Sequence, residues 1–339
     1  MALELGPDSI PLLSPEVTVE LGPESVVASA DEHEYVFEGD EVRVLAAVKH
    51  RLDGSASIAA LARDGDFPAE LLVTMLSSLA EDGLVLDARP VLEARSAEGF
   101  LDGFRRMCDF WAKEWQRSRF WQVMRSGDAP RGVVLGWGVE FYHYVESAND
   151  HMAAAVAYCR TDQVIRRWLA EHYVEEHDHS RHFVEGLAAC GLSPDEVRRA
   201  PPLPSTASLI NYLTEIATTD SIAYAGTFAA MRPRLRPEPG QLDRFYDGLV
   251  RLYPFAQPLL EKIRAHSKED VELDHHVLVI ERILRERVTI TPEIARRIVR
   301  AARGLSEHFV LYFDGIFDCY SPADAPLPRR PLDARAFLV

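Results

Sequence analysis

Imidazole and carboxylate side chains are concentrated in one stretch of the chain, EHYVEEHDHSRHF, at residues 171–183. If this stretch is one continuous helix, with about 100° between successive residues, a single sector of it carries most of them. That sector holds His172, Glu175, Glu176, His179 and His182. Glu176 and His179 have the Glu-x-x-His spacing with which a carboxylate and an imidazole meet one metal ion inside a helical bundle. The alternative is a surface helix with histidines in i,i+4 pairs.

A second segment, AHSKEDVELDHHVLVIERIL at residues 265–284, repeats this mixture. His266 and Asp270 are four residues apart on one helix face, and Asp274 follows one turn further along. His276 lies within about a quarter-turn of that face. The apolar run after His276 predicts that the helix enters the core there, so the face can offer metal ligands. The alternative is the exposed, acidic start of a helix.

Glu140 is the third candidate, in the segment WGVEFYHYVESANDH. Aromatic and apolar residues surround it in sequence, so it lies either at a helix start or buried among aromatic rings. A buried carboxylate needs a cation or hydrogen-bond donors, because an unpaired one is too costly. We therefore predict Glu140 as a terminal or bridging metal ligand.

Together the three segments offer a mixed set of nitrogen and oxygen ligands: Glu140, Glu176, His179, His266, Asp270 and Asp274. Glu175, and His276 if its helix bulges, are the next candidates. The four cysteines are widely separated and form no CxxC pair, so neither a thiolate zinc site nor a disulfide framework is predicted. Such ligands without thiolate suit iron or manganese, and open positions on iron would let dioxygen bind.

The elements that would hold these residues follow a different N-terminal region, residues 16–95. Its first part, EVTVELGPESVVASADEHEYVFEG, alternates apolar and polar residues between turn signals, which is typical of short, half-buried strands. Three short helices are predicted next, and Ser57 is predicted to cap the second of them. The strand-like LVLDA closes the region, so the pattern predicts a winged-helix-like α+β domain.

The signal is almost wholly helical over residues 96–320, where long amphipathic segments are separated by clusters of proline and glycine. Ten of the twelve histidines, from His143 to His308, fall in this region. We predict an all-α bundle here. The tail, residues 321–339, is Pro-rich and predicted to be extended.

Composition limits what the chain binds. It has 53 acidic and 37 basic residues in 339, a formal charge of −16, which disfavours nucleic acid and anionic membranes because both attract basic surfaces. No apolar segment reaches the roughly 20 residues of a membrane span, and the N-terminus lacks the pattern of a signal peptide. With cysteines that form no framework, this predicts a soluble, cytoplasmic protein.

The order and spacing of the motifs resemble the haem-oxygenase-like metal oxidase and oxygenase superfamily over roughly residues 100 to 320. The resemblance rests on GVEFYHYV, EEHDHSRHFVEGLAACGL, DSIAYAGTFAAM and HSKED. It implies a mainly α fold, a seven-helix bundle that holds a dinuclear, usually iron, site. By the resemblance, the ligands are Glu140, Glu176, His179, His266 and Asp270. It also implies a homodimer.

The sequence departs from the superfamily pattern at two positions. A glutamate often follows the small-residue helix, where this chain has Met231, a poor ligand for ferrous iron. The last family histidine corresponds here to Leu273 or Asp274. One metal, two metals and a metal-free pocket, like that of the related cofactorless quinone-forming oxidase, are therefore alternatives. Hydrolysis by a nucleophilic cysteine, as in the thiaminase branch, is another.

The N-terminal region has a resemblance of its own. The run LAAVKHRLDGSASIAALARDGDFPAELLVTMLSSLAEDGLVLDA is similar to the small winged-helix modules that bind leader peptides in ribosomal-peptide maturation. Such modules capture an extended peptide as an added strand at a sheet edge. A generic winged helix for dimerisation is the alternative. DNA binding is disfavoured, because the run lacks a basic recognition helix.

The leading hypothesis is an iron-dependent enzyme that uses dioxygen to modify an amino-acid-like group, on a peptide held by the N-terminal domain, in natural-product biosynthesis. Hydroxylation, N-oxygenation, desaturation and carbon–carbon cleavage all stay open. Aromatic residues are predicted to line the pocket: Phe141, Tyr142, Tyr212 and Tyr224. The rival hypothesis is a peptide-binding adaptor whose bundle has lost its metal, which is consistent with Met231.

Overall fold

The chain divides into two compact units in a computed structural model, which describes residues 5–30, 33–231, 240–272, 279–286 and 290–330. One unit comprises Met1–Glu114 and Val288–Arg296, and the other Trp115–Arg287 and Arg297–Val339. The domain ranges 16–95, 96–320 and 321–339 stay a prediction beside this division.

The first unit contains two small antiparallel sheets. Their strands are β1 (Pro11–Leu13), β2 (Thr18–Leu21), β3 (Ser25–Ala30), β4 (His33–Glu38) and β5 (Val85–Asp87). One sheet has the order β2-β3-β4, and the other pairs β1 with β5. Along β3 every second residue is buried, beginning at Val26, so the alternation predicted for half-buried strands is confirmed.

Five helices belong largely to this unit, and the first and third of them pack on the strands. They are α1 (Asp40–Val48), α2 (Ile58–Gly65), α3 (Ala69–Glu81), α4 (Arg89–Leu92) and α5 (Ala97–Gln116). The predicted cap of α2 is confirmed, because the Ser57 hydroxyl accepts a hydrogen bond of 3.2 Å from the Ala60 N–H. Val26, Leu45, Ile58 and Leu76 belong to one buried apolar cluster. This is the predicted winged-helix-like α+β arrangement.

All regular secondary structure in the described residues of the second unit is helical, and its last helix begins within Val288–Arg296 of the first unit. Its helices are α6 (Arg119–Ser126), α7 (Arg131–Glu146), α8 (Ala148–Tyr158), α9 (Gln163–Glu176), α10 (Arg181–Ala189), α11 (Pro194–Arg199), α12 (Pro204–Thr219), α13 (Ser221–Met231), α14 (Gln241–Leu252), α15 (Gln257–Glu272), α16 (Val279–Glu286) and α17 (Pro292–Tyr320). Helix α10 packs against α7 and α15, and α9 packs against α8, α13 and α16. The mainly α architecture is therefore confirmed.

The stretch of residues 171–183 is not one continuous helix, so that prediction was wrong. Helix α9 ends at Glu176, and α10 begins at Arg181. Between them Asp178 has a φ of 70°, which no α-helix accommodates. Aspartate enters this left-handed region more readily than most residues, because its short polar side chain hydrogen-bonds locally.

Two glycines bring α7 close to the end of α17. A Cβ on Gly136 would lie 2.4 Å from the Tyr320 ring, and one on Gly132 would lie 2.5 Å from the Tyr320 carbonyl oxygen. Side chains at either position would therefore push the two helices apart. Glu140 lies one turn further along α7, on the same side of the helix as the two glycines.

Within the described residues, no helix is both long enough and apolar enough to cross a membrane.

Candidate metal centre

Three of the predicted ligands meet in the second unit. Glu176, His179 and His266 each offer one ligand atom, and these atoms all lie within 4.8 Å of one another. Glu176 is the last residue of α9, and His179 lies in the turn that follows. His266 comes from α15, which packs against α10 just after that turn. The break between α9 and α10 thus helps to build the group.

The geometry of this group suits a metal ion. The Nδ1 atom of His179 lies 3.1 Å from Oε2 of Glu176, and the His179 and His266 rings are 5.1 Å apart at 77°. Glu176 and His266 are buried, with exposed fractions of 9% and 8%. Two imidazoles and one carboxylate with open positions are the ligand set of non-haem ferrous oxygenases, so these residues fit iron.

Aromatic rings form one wall of the group. The Phe183 ring stands nearly perpendicular to the His266 ring at 5.4 Å, and the Phe141 ring lies 6.3 Å from it. Phe141 and Phe183 also contact each other at 4.8 Å. Such a wall keeps water away and lowers the local dielectric, which strengthens the interaction between Glu176 and a bound cation.

The other predicted pocket residues have different neighbours. Tyr224 is fully buried, and burial raises its pKa, with smaller contributions from Tyr144 and Glu176. Tyr212 donates its hydroxyl to the Ala301 carbonyl at 2.9 Å, and Tyr142 lies against the ring of His143. Of the four, Phe141 contacts the group of three through His266, and Tyr224 is on α13, which packs against α9.

Three predicted ligands fall wholly or partly outside the described residues. Asp270 follows His266 by one turn of α15, but its side chain is not described. Asp274 and His276 lie outside the described residues altogether. All three stay predictions.

The structure does not bring Glu140 to the group of three. Its carboxylate is fully buried, Oε1 accepts a hydrogen bond of 2.8 Å from the Tyr320 hydroxyl, and Oε2 accepts one of 3.0 Å from the Leu203 N–H. Burial raises the pKa of this carboxyl, against the lowering effect of these donors. Of the two ways to compensate a buried carboxylate, the structure therefore shows the donors.

Glu175 is also outside the group. One of its oxygens lies 3.8 Å from the Arg282 guanidinium, and the other lies 3.8 Å from Nδ1 of His172. The carboxylate of Glu175 therefore forms an ion pair with Arg282 of α16.

Met231, where the superfamily often has a glutamate, ends α13. The Tyr144 hydroxyl donates a hydrogen bond of 3.1 Å to its sulfur. A phenol and a thioether therefore meet at the position of the expected carboxylate.

Sequence analysis missed two buried polar residues of the second unit, His151 and Glu281, and the hydrogen bond between His151 and Tyr224. Nδ1 of His151 lies 2.6 Å from the Tyr224 hydroxyl oxygen. Glu281 has an exposed fraction of 1%, with Arg285 3.5 Å from its carboxylate. The apolar run VLVIE could have indicated the burial of Glu281, whereas nothing local indicates the pairing of His151.

The cysteines do not resemble nucleophiles. Burial raises the pKa of the Cys190 thiol, whereas a catalytic cysteine needs a lowered one. The Cys159 thiol donates to the Asp162 carbonyl at 3.4 Å. Hydrolysis by a cysteine therefore gains no support.

A family model described as iron-containing redox enzyme matches residues 135–308, about half of the chain. The chain belongs to this family. The match spans Glu176, His179 and His266, and it confirms the predicted relationship to the haem-oxygenase-like superfamily. No curated protein matches the chain.

Solved structures confirm the fold of this family member. A domain of unknown function with a heme oxygenase-like fold from Shewanella denitrificans OS217 aligns with a TM-score of 0.55 at 19% identity, covering 66% of this chain and 94% of its own. A TenA homolog from Pseudomonas syringae pv. tomato str. DC3000 aligns with a TM-score of 0.50 at 13% identity, covering 68% and 97%. At these identities the similarity shows the fold alone.

Proposed function

We propose that this member of the iron-containing redox enzyme family binds ferrous iron through Glu176, His179 and His266 and uses dioxygen to oxidise its substrate. The observation that carries the proposal is the meeting of two imidazoles and one carboxylate within 4.8 Å. Asp270, one turn after His266, is the next ligand in this proposal. The number of ions, one or two, stays open.

Bound iron supplies one-electron redox chemistry and a position at which dioxygen can bind. The chain's own residues prepare that position. Glu176 would provide the negative charge that favours a cation, and the imidazoles of His179 and His266 would provide the nitrogen ligands. Phe141 and Phe183 exclude water on the side of His266, so that oxidising species would meet the substrate rather than solvent.

For the substrate, we propose an amino-acid-like group on a peptide, held by the first unit. In the described part of the three-stranded sheet, β2 and β4 are the outer strands. Each presents an exposed apolar side chain, Leu21 on β2 and Val36 on β4, with exposed fractions of 48% and 54%. An extended leader peptide could add to such an edge through backbone hydrogen bonds. A cytoplasmic location and a homodimer stay predictions.

Iron and manganese per chain, measured after anaerobic ferrous reconstitution, test the metal proposal. We expect wild type to retain iron and the variants Glu176→Ala, His179→Ala and His266→Ala to lose it, because each removes one of three ligands. Glu175→Ala is the matched control, since it removes a neighbouring carboxylate that lies outside the group.

The stoichiometry separates the alternatives. Near two irons per chain would indicate a dinuclear site despite Met231, and near one would indicate a mononuclear site. No metal in wild type would overturn the proposal and favour the cofactorless oxidase or the peptide-binding adaptor. Loss of iron in Glu175→Ala as well would show that the ligands are other than these three.

A further inference from the structure

A tyrosine and a histidine form a short hydrogen bond inside the second unit. The Tyr224 hydroxyl, on α13, lies 2.6 Å from Nδ1 of His151, on α8. Both side chains are buried, with exposed fractions of 0% and 2%. The hydrogen bond is therefore shielded from water, and the two groups can exchange a proton only with each other or with other buried groups.

The protonation states of this pair follow from burial. Burial lowers the pKa of His151 to about 4, with a smaller contribution from His172, so the imidazole is neutral at physiological pH. Burial also raises the pKa of Tyr224 well above its usual value, so the phenol keeps its proton. We assign the phenol as the donor to Nδ1, which puts the ring proton of His151 on Nε2. In this arrangement, Nδ1 of His151 can accept the proton of the Tyr224 hydroxyl.

The pair lies beside the candidate metal centre. Tyr224 is on α13, which packs against α9, the helix that ends at Glu176. The Phe228 ring contacts both the Tyr224 ring, at 5.2 Å between centroids, and the His172 ring, at 4.6 Å. His172 is one turn before Glu176 on α9, which packs against both α8 and α13. Packed aromatic rings thus run from the phenol towards the ligand helix.

We propose that Tyr224 and His151 form a proton-coupled electron donor to the metal centre, in which the tyrosine gives the electron and the histidine takes the proton. The inference rests on the proposed function, because the oxidant is iron that has already passed electrons to dioxygen. It adds a redox role for two residues that are not metal ligands.

Tyr224 loses one electron to the iron centre that dioxygen has oxidised, so the centre is reduced by one electron and dioxygen is the terminal oxidant. The O–H bond of the phenol breaks, its proton forms a new N–H bond at Nδ1 of His151, and the products are a neutral phenoxyl radical and an imidazolium. An oxidised phenol is a far stronger acid than an imidazolium, so the proton moves even though burial disfavours the charged ring. Complete reduction of dioxygen takes more electrons than one ferrous ion supplies, and Tyr224 would supply one of the additional electrons.

Tyr253 provides a matched control within the same unit. It is also buried, but its hydroxyl contacts the backbone carbonyls of Val123 and Met124, at 2.9 and 3.1 Å. A carbonyl accepts a hydrogen bond but is too weak a base to take the proton of an oxidised phenol. Burial alone therefore does not make Tyr253 a proton-coupled donor.

Rapid freeze-quench electron paramagnetic resonance tests the inference. Ferrous-loaded protein is mixed with dioxygen, and the same samples are assayed for iron content and oxygen consumption. We expect a tyrosyl radical signal in wild type and in Tyr253→Phe, and no such signal in Tyr224→Phe. The signal should become narrower in protein that contains ring-deuterated tyrosine. In His151→Gln the amide still accepts the hydrogen bond but cannot take the proton, so the radical should form about a hundredfold more slowly, as when a positioned base is removed.

The outcomes separate this inference from the proposed function. If iron binds and oxygen is consumed without a tyrosyl radical, or if the radical survives in Tyr224→Phe, the inference is overturned while the proposed function stands. If the protein neither binds iron nor consumes oxygen, both are overturned. Melting curves of the two variants show whether a lost signal comes from misfolding. If Tyr224→Phe does not fold, the rate of radical formation in His151→Gln tests the inference.

Discussion

At the scale of single residues, Glu140 and Glu176 show how two buried carboxylates are compensated differently. Glu140 has a hydrogen-bond donor at each oxygen, Tyr320 and Leu203. Glu176 instead faces the imidazole of His179, which is part of the candidate metal centre. A donor at each oxygen of Glu140 fits a structural role, whereas the two imidazoles that meet the Glu176 carboxylate fit metal binding.

Glu140→Gln tests this distinction through pH and iron content. Burial raises the pKa of Glu140, so between its ordinary value, near 4.5, and the raised one the native state binds more protons than the unfolded state. The free energy of unfolding of wild type therefore falls as pH rises through that window. Glutamine does not titrate, so wild type should lose stability relative to Glu140→Gln as pH rises above about 4.5, in paired thermal melts.

The same variant should keep its iron, because the structure does not place Glu140 among the three ligands. Elemental analysis after reconstitution measures this, with Glu176→Ala as the variant expected to lose iron. Loss of iron in a folded Glu140→Gln would support the sequence-based prediction that Glu140 is a ligand.

At the scale of elements, the turn between α9 and α10 sets the geometry of the metal centre. The regular helix ends at Glu176, and the turn places Nδ1 of His179 3.1 Å from the Glu176 carboxylate. The left-handed Asp178 makes that turn, and its N–H contacts the Asn149 side chain at 3.4 Å. The backbone conformation of one residue therefore controls the distance between two ligands.

We expect Asp178→Val to destabilise the protein by about 1–2 kcal/mol, the usual cost of a left-handed conformation for a residue with a branched side chain. Iron affinity should fall with it, because the turn would shift His179 away from Glu176. Asp178→Asn is the matched control, since asparagine also tolerates this conformation and should retain both properties. Chemical denaturation and iron titration measure them, and a valine variant with unchanged affinity would show that the turn does not set the site.

Local patterns were enough to predict the elements that depend on local physics. The alternation along β3 and the Ser57 cap follow from neighbouring residues, and both are confirmed. The pairing of Glu176 with His179 was predicted from helical spacing, although the helix breaks between them. The sequence carries no strong signal for the left-handed conformation of Asp178, because aspartate is common both next to helix ends and in turns.

Contacts between residues far apart in sequence could not be predicted in this way. Tyr320 lies 180 residues from Glu140, and the contact depends on the close approach of α7 and α17 at Gly136. The pairing of His151 with Tyr224, 73 residues apart, likewise depends on how α8 packs against α13. Tertiary packing decides both, and a single sequence carries no record of it.

At the scale of the whole molecule, the two units offer two different kinds of binding site. The first has its own apolar core beneath a three-stranded sheet, with β2 and β4 as outer strands in the described part. The second holds the Glu176, His179 and His266 group. The proposed function therefore predicts that the peptide binds the first unit and that the metal binds the second.

Hydrogen exchange can locate both ligands in the full chain. Metal that binds only the native state adds about 2.7 kcal/mol of stability when its free concentration is about 100 times Kd. Under anaerobic conditions, ferrous iron should therefore slow amide exchange in α9, α10 and α15, and His179→Ala should abolish the effect. A substrate peptide that adds as a strand should instead slow exchange in β2 or β4, because its backbone pairs with theirs. Metal protection centred on the sheet would place the iron site elsewhere, and peptide protection confined to the helices would leave the first unit without a role in substrate binding.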